Sequence, residues 1–454
     1  MTMTTSDPDR KSIFRQLEEH NVRFINILFT DILGEVKSVE IPVIQFKDAL
    51  GTGISFDGSS IRGYADIANA DMYLKPDPAT LKIYPSPTPV ESQEGKYSTA
   101  GVIADPYTTD GTPSIHSPRY ILKRFLQGAA KRGLTFFVGV EPEFFLFPQG
   151  KIPSSRSEVT SKSGYFALVP GDTEEAVRKE IVAGLLKMGI PIEKSHHEIE
   201  PYINELSFKY ADPVTTADRL IAIKFVAKSV AARYGFRAVF MPKPIAQYAA
   251  CGMHVHISLF SDGENAFYDP QDALGLSQCA RFFIGGLIEH IRAVTALTNP
   301  TVNSYKRLVP GFEAPVNIAW ARKNRSTLIR IPATPNPKKA TRLELRSPDP
   351  SANPYLAFTA ILAAGMDGIE RSIEPPAAIE ENIYLMSEEE KAQRGIKPLP
   401  GSLEQTINAL ESDQVISRAL GAETTEYLIQ AKCEEIAAFN QSVTGWERQQ
   451  YLDV

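Results

Sequence analysis

Cysteine is scarce: Cys251, Cys279 and Cys433 are the only three in 454 residues. Odd in number and far apart, they offer neither a disulfide framework nor a thiolate metal site, which suits a reducing compartment. No run of basic residues could follow a phosphate backbone. The formal charge of -6 adds no global attraction to nucleic acid or to an anionic membrane. Long apolar runs are missing as well, and Tyr355 to Gly365 falls well short of the ~20 residues a helix needs to span a bilayer. The opening stretch Met1-Thr2-Met3-Thr4-Thr5-Ser6-Asp7 has no apolar core of the kind a secretory signal requires. These absences predict a cytoplasmic protein with no nucleic-acid and no membrane partner. Neither a P-loop nor a Rossmann-type glycine loop occurs, so a nucleotide would have to be held by other means. Internal repeats and low-complexity tracts are also lacking.

What is present is an ordinary globular composition, 43% hydrophobic, on a chain longer than one typical core, which predicts two domains. Residues from about 10 to 108 are strand-rich. Val22 to Phe29 and Val36 to Ile41 alternate as a hairpin around Asp31-Ile32-Leu33-Gly34. Ser55 to Tyr64 is polar and glycine-rich, and reads as a loop able to carry ligand contacts. Asp105 to Ser117 reads as a domain junction. Ser117 as N-cap and Pro118 at the first position start a helix that ends at Gly133. Further helices are expected over about 173–188, 216–234 and 275–297. Asn303 to Glu313 reads as a loop, and Ser387 to Lys391 as a charged, solvated turn.

Four strands gather polar groups on one face. In Gly139 to Phe147, period two turns Glu141 and Glu143 the same way within an otherwise apolar strand. Two such carboxylates repel, and a divalent cation is the simplest partner. In Met253 to Ser258 the shared face is His254, His256 and Ser258, opposite Met253, Val255 and Ile257. Arg342, Glu344 and Arg346 share a face opposite Leu343 and Leu345, and His196 to Glu200 with Glu205 supplies more carboxylates. A half-exposed antiparallel sheet would also place polar side chains on one face, and arginines beside carboxylates would also make a salt-bridge lattice. Yet lysine, threonine and glutamine, the usual solvent-facing residues, are absent from these faces. Glu with His suits metal ions, and interspersed Arg, with Arg307, Arg325 and Arg330 nearby, suits a polyphosphate.

With these residues the chain resembles bacterial type I glutamine synthetases over nearly its whole length. The shared motifs are Phe56-Asp57-Gly58-Ser59-Ser60, Glu141-Pro142-Glu143, Ser195-His196-His197-Glu198, Met241-Pro242-Lys243-Pro244, Gly252-Met253-His254-Val255-His256, Asn299 to Arg307 and Asn353-Pro354-Tyr355. The resemblance implies an α+β fold with a small N-terminal β-grasp domain (1–108) and a large catalytic domain (109–454) built around an antiparallel-strand funnel. It implies a homo-oligomer, a dodecamer of two hexameric rings with active sites shared between neighbours. It also implies ATP-dependent amidation of L-glutamate by ammonia through γ-glutamyl phosphate, with two or three Mg²⁺ or Mn²⁺ per site.

Position by position, the resemblance gives Glu143, Glu198 and Glu205 to one metal and Glu141, His254 and Glu344 to the other. Phe208, His256, Ser258, Lys339 and Arg342 match nucleotide contacts. Arg307 and Arg346, with Gly252 beside them, match the glutamate site, and Arg325 and Arg330 match groups that stabilise the transferring phosphoryl. Glu313 matches the flap acid. Asp57, from a neighbouring subunit, matches the ammonium ligand, with Ser60 and Tyr165 nearby.

Departures concentrate near the substrate. Ala249-Ala250-Cys251 stands where the family usually has Asn-Gly-Ser, and Glu200 and Tyr202-Ile203 replace a small residue and a Gly-Gln pair. No Asn-Leu-Tyr-Asp-Leu-Pro adenylylation motif is present, and Asp66 stands where a related class has a glutamine-sensing arginine. Two other readings follow from these differences: a ligase for another amine or a glutamate analogue, and a non-catalytic paralogue. The retained Asp57, Ser60 and Tyr165 favour ammonia.

Overall fold

The hairpin expected near the N-terminus forms from β1 (Val22–Thr30) and β2 (Val36–Pro42), paired antiparallel from Phe24↔Pro42 to Thr30↔Val36. The computed structural model describes residues 7–454 except 85–89, 93–94, 151, 154, 160, 247, 249 and 312–313. The hairpin joins β3 (Ile54–Asp57), β4 (Asp71–Pro76), β5 (Lys82–Ile83), β6 (Val90–Ser92) and β7 (Gly95–Thr108) in one sheet, ordered β2-β1-β7-β4-β3, with β5 and β6 on β7. Only β1 and β7 run parallel. Helices α1 (Asp7–Glu19) and α2 (Phe46–Thr52) accompany this sheet, whose core centres on Ile25, Ile27, Phe46, Leu74 and Val102.

The expectation of a loop from Ser55 to Tyr64 needs correction. Phe56 and Asp57 belong to β3, because Phe56 packs on Phe29 with ring centroids 5.3 Å apart and Asp57 pairs with Asp71. Tertiary packing there overrides poor local strand propensity.

The second body follows α3 (Pro118–Ala130), whose cap is as expected: Ser117 Oγ accepts the Tyr120 N–H, and Pro118 opens the helix. Its sheet comprises β8 (Leu134–Pro148), β9 (Ile192–His197), β10 (Ile203–Phe208), β11 (Phe236–Val239), β12 (Met253–Ser261), β13 (Glu264–Asn265), β15 (Trp320–Ala321), β16 (Ile329–Arg330) and β17 (Leu343–Leu345), while β14 (Asn317–Ile318) pairs separately with β18 (Lys397–Pro398). The main order is β15-β16-β17-β12-β8-β10-β9, antiparallel except β15 with β16. Around it lie α4 (Glu175–Lys187), α5 (Pro213–Arg233), α6 (Gln278–Thr298) and, after α7 (Ser304–Arg307) and α8 (Pro337–Ala340), α9 (Pro354–Arg371).

Three of these helices overlap the expected spans within a few residues. The Asn303 to Glu313 loop is instead interrupted by α7, and the charged turn after Ser387 is a short helix, α10 (Glu388–Gln393), fixed by a reciprocal capping box between Ser387 and Glu390. Glu313 lies outside the described residues.

The apolar faces of β8, β12 and β17 meet α5, α6 and α9 in the main core. Val138, Val140, Val255, Ile257, Leu343 and Leu345 are all at most 2% exposed. Each such side chain contributes on the order of 1.5–3 kcal/mol by leaving water. The same alternation that seats these residues turns the opposite face, with its acids and imidazoles, into the funnel.

Candidate active site

Register decides which polar side chains meet. Across β8 and β12 the pair is Glu141↔His254; across β8 and β10 it is Glu143↔Glu205; across β12 and β17 it is His256↔Glu344. Glu198 follows β9 directly, its N–H bonded to the Ile203 carbonyl at 2.8 Å. A cavity of about 480 Å³ collects Glu141, Glu143, Glu198, Glu205, His254 and Glu344, together with Tyr165, Arg307, Arg325, Arg330 and Arg346. All six residues matched to metal ligands therefore share one space.

The electrostatics of this space are unbalanced. Glu143 accepts the Gly252 N–H at 2.9 Å, yet burial and the repulsion of Glu198 and Glu205 push its pKa up to about 8. Burial and Glu141 raise Glu205. Burial also works against ionisation of Glu141 and Glu344, but His254 and His256 hold both below the ordinary range, with Arg346 and Arg330 adding to the effect on Glu344. His254, with Nδ1 at 3.4 Å from Glu344 and 3.6 Å from Glu141, is pushed down to about 4 by burial and by Arg346.

Arg330 donates to Glu344 Oε2 at 2.6 Å and Arg346 to Oε1 at 2.7 Å. Lys194 reaches Glu205 at 3.1 Å. Two imidazole nitrogens, His196 Nδ1 and His256 Nε2, are buried without a hydrogen bond. Acids that repel one another, beside orphaned ring nitrogens, form a donor set that divalent cations fit. Three carboxylate–imidazole groupings among the described residues could hold an ion: Glu141 with His256 and Glu344, and Glu198 with Glu205 and His196, at the funnel, and Asp172 with Glu174 and His197, which do not line it.

The position of His196 was not anticipated as part of the site. It sits one strand period from both Lys194 and Glu198, and its Nε2 lies 2.8 Å from Glu198 Oε1. That spacing is the signal that could have found it.

The residues matched to nucleotide contacts also converge. Phe208, His256, Ser258, Lys339 and Arg342 line an adjoining cavity of about 180 Å³, which shares Glu141 with the first. Arg342 Nε donates to His256 Nδ1 at 3.3 Å, fixing the ring. Arg307 is buried, its guanidinium donating to the Ser347 carbonyl at 2.5 Å. Glycine at 252 leaves room for a substrate-side arginine: a Cβ there would lie 2.7 Å from Arg307 Nη2, so that guanidinium would have to shift. Ala250 lines the same cavity, which places one departure from the family at the site. Asp57 and Ser60 do not line the cavity of their own chain. Asp57 caps a short turn instead, accepting from Ser59 N at 2.9 Å and Ser60 Oγ at 2.5 Å.

A strand-built funnel with clustered carboxylates, imidazoles and arginines, on a two-domain α+β fold, has the donor types that proteins handling phosphoryl groups with divalent metals use. Comparison with known proteins narrows the class. Residues 21–109 match the family model described as glutamine synthetase, beta-Grasp domain, and residues 116–451 the one described as glutamine synthetase, catalytic domain. The chain is 48% identical to a glutamine synthetase of Thermotoga maritima over 97% of this chain and 99% of that one. It is 47% identical to a glutamine synthetase of Thermus thermophilus over 98% of each. A solved structure described as a GmaS/ADP complex superposes with a TM-score of 0.85 at 34% identity, covering 97% of this chain and 99% of the other. The chain belongs to the glutamine synthetase family.

Proposed function

We propose that this protein is a glutamate–ammonia ligase, joining ammonia to the γ-carboxylate of L-glutamate in a reaction driven by ATP. The observation that carries this reading is the convergence of six metal-type ligands and four arginines in one cavity beside a second recess lined by the residues matched to nucleotide contacts. Membership of a family whose curated relatives bear the name glutamine synthetase supports it.

A carboxylate is a poor electrophile, so ATP first converts it to γ-glutamyl phosphate. Glu143, Glu198 and Glu205, and Glu141, His254 and Glu344, would hold Mg²⁺ or Mn²⁺, two or three per site, which when bound would neutralise charge on the phosphates. Phe208, His256, Ser258, Lys339 and Arg342 hold the nucleotide. Arg307 and Arg346 grip glutamate beside Gly252, and Arg325 and Arg330 offset charge on the moving phosphoryl group. Asp57, with Ser60 and Tyr165, binds ammonium, and Asp57 and Glu313 remove its proton so that free ammonia attacks. A flap carrying Glu313 keeps water from the acyl phosphate.

The exclusion of Asp57 and Ser60 from the cavity of their own chain supports their supply by a neighbouring copy. The assembly in this reading is a cytoplasmic dodecamer of two hexameric rings, each chain divided into 1–108 and 109–454. Among the described residues no helix is long and apolar enough to cross a membrane.

Phosphate release and amide formation with ATP, glutamate and ammonium test the reading. Turnover with ammonium in preference to a panel of larger amines is expected, and no turnover with glutamate plus ammonium would remove it. Glu313→Ala is expected to keep ATP binding and lose amide synthesis.

A further inference from the structure

A second kind of recess, sharing no residue with the funnel, lies where the N-terminal sheet meets the larger body. It encloses about 320 Å³ between Leu28, Lys82 and Tyr84 on one side and Ile221, Phe225 and Arg219 of α5 on the other. That volume is in the range of small-molecule sites.

Its charges are unequally used. Arg119 and Lys123, which reach its edge, are consumed by Asp77, Asp105 and Asp218. Lys82 has no such partner among the described residues. It is half-buried, and the charge it feels most is another cation, Arg219; burial and that repulsion push its pKa down. Arg219 spends one N–H on the Lys209 carbonyl at 2.8 Å and feels Asp212, whose Oδ1 already accepts the Thr215 N–H at 3.0 Å.

Tyr84 supplies an independent sign. It is 6% exposed and packs on Phe225 with ring centroids 4.7 Å apart, yet its hydroxyl has no hydrogen-bond partner among the described residues. Room for that hydroxyl exists because residue 101 is glycine: a Cβ there would stand 1.7 Å from the Tyr84 oxygen. A phenol hydroxyl with no partner among the described residues, lining a cavity with two cations that repel one another, leaves a polar arrangement open to an acceptor.

We propose that this cavity binds a small organic monocarboxylate, its anionic end between Lys82 and Arg219 within reach of the Tyr84 hydroxyl, and its apolar body against Phe225, Ile221 and Leu28. Asp77, Asp212 and Asp218 also line the cavity and disfavour a dianion such as a phosphate ester. The site is independent of the ligase reading. Both domains contribute walls, so an occupant ties one to the other.

Calorimetric titration and thermal unfolding of the full-length chain with 3-phenylpropionate, its amide and inorganic phosphate test the proposal. The expected result is saturable binding of the carboxylate, one per chain, with a raised unfolding temperature, and at least tenfold weaker binding of the amide and of phosphate. Lys82→Met, which breaks no existing pair, is expected to weaken the carboxylate at least tenfold, and Tyr84→Phe severalfold, with ligase turnover unchanged in both. Equal affinity for the amide, preference for phosphate, unaltered binding in Lys82→Met or no saturable binding would each overturn it.

Discussion

Around Arg119, three half-buried aspartates have every carboxylate oxygen accepting a hydrogen bond; around Glu143, carboxylates repel one another while the guanidinium that acts on it, Arg307, donates to the Ser347 and Arg346 carbonyls. In the first cluster Arg119 serves Asp77, Asp105 and Asp218, Lys123 adds a bond to Asp105 at 2.6 Å, Tyr355 donates to Asp218 at 2.7 Å, and the Ala79 N–H completes Asp77. Desolvation still raises Asp218, but no atom there is orphaned. In the second cluster Glu143 is lifted to about 8, and two imidazole nitrogens go without partners. The contrast separates a joint from a site. The Arg119 cluster ties the turn after β4, together with β7, α3, α5 and α9, into one joint and needs nothing more. In the funnel, repelling carboxylates and ring nitrogens without hydrogen bonds leave donor atoms open to a ligand.

The largest effect should come from breaking the joint. Arg119→Met leaves three aspartates without their shared guanidinium and is expected to cost about 3–5 kcal/mol of stability. Denaturant unfolding measures it, and a loss below about 1 kcal/mol would make the two clusters alike.

Glu143→Gln probes the other side of the contrast and should move stability and activity in opposite directions. The folded pKa lies above the ordinary carboxylate value of 4.5, so the folded, metal-free protein retains a proton that the unfolded chain releases. Its stability is therefore highest below about 4.5 and falls as pH rises toward 8. The glutamine variant is expected to flatten that slope under chelation and to lower turnover by about a hundredfold. Parallel pH series of unfolding and activity check both.

His290 offers a satisfied cluster with a titratable centre, its nitrogens 2.7 Å from Asp413 and 2.9 Å from Asp367. Burial opposes its charge, but the two aspartates outweigh burial and raise its pKa above 6.5. The stabilisation is thus full below 6.5 and lost as pH rises through the raised value. His290→Asn should cost about 1–3 kcal/mol at pH 6 and less at pH 9, read by denaturant midpoints at each pH. The smallest effect is expected from Gly252→Ala. Its Cβ would displace Arg307, raising the KM for glutamate about three- to tenfold while ATP binding stays unchanged, as initial-rate kinetics would show.

Much of the funnel was legible because strand period is strict. The alternation in Met253 to Ser258 places His254 and His256 together whatever the rest of the chain does, and burial follows it residue by residue. The cap at Ser117 was equally local. The Arg119 cluster was not legible, since its acids come from positions 77, 105 and 218 and only tertiary folding unites them. β3 was missed because Phe29 and Asp71, not its own sequence, make it a strand. His196 was overlooked although Glu198 lies one strand period away; its other neighbour, Glu205, is joined to it only by the β9–β10 register, which a single strand does not reveal.

The most direct test is titration of the metal-free, full-length protein with Mn²⁺, with bound ion counted by electron paramagnetic resonance. At least two ions per chain are expected, one lost in Glu205→Gln and another in Glu344→Gln, with turnover abolished in both. Fewer than two ions, or an unchanged count in either variant, would contradict the claim that divalent metal bridges the funnel's repelling carboxylates.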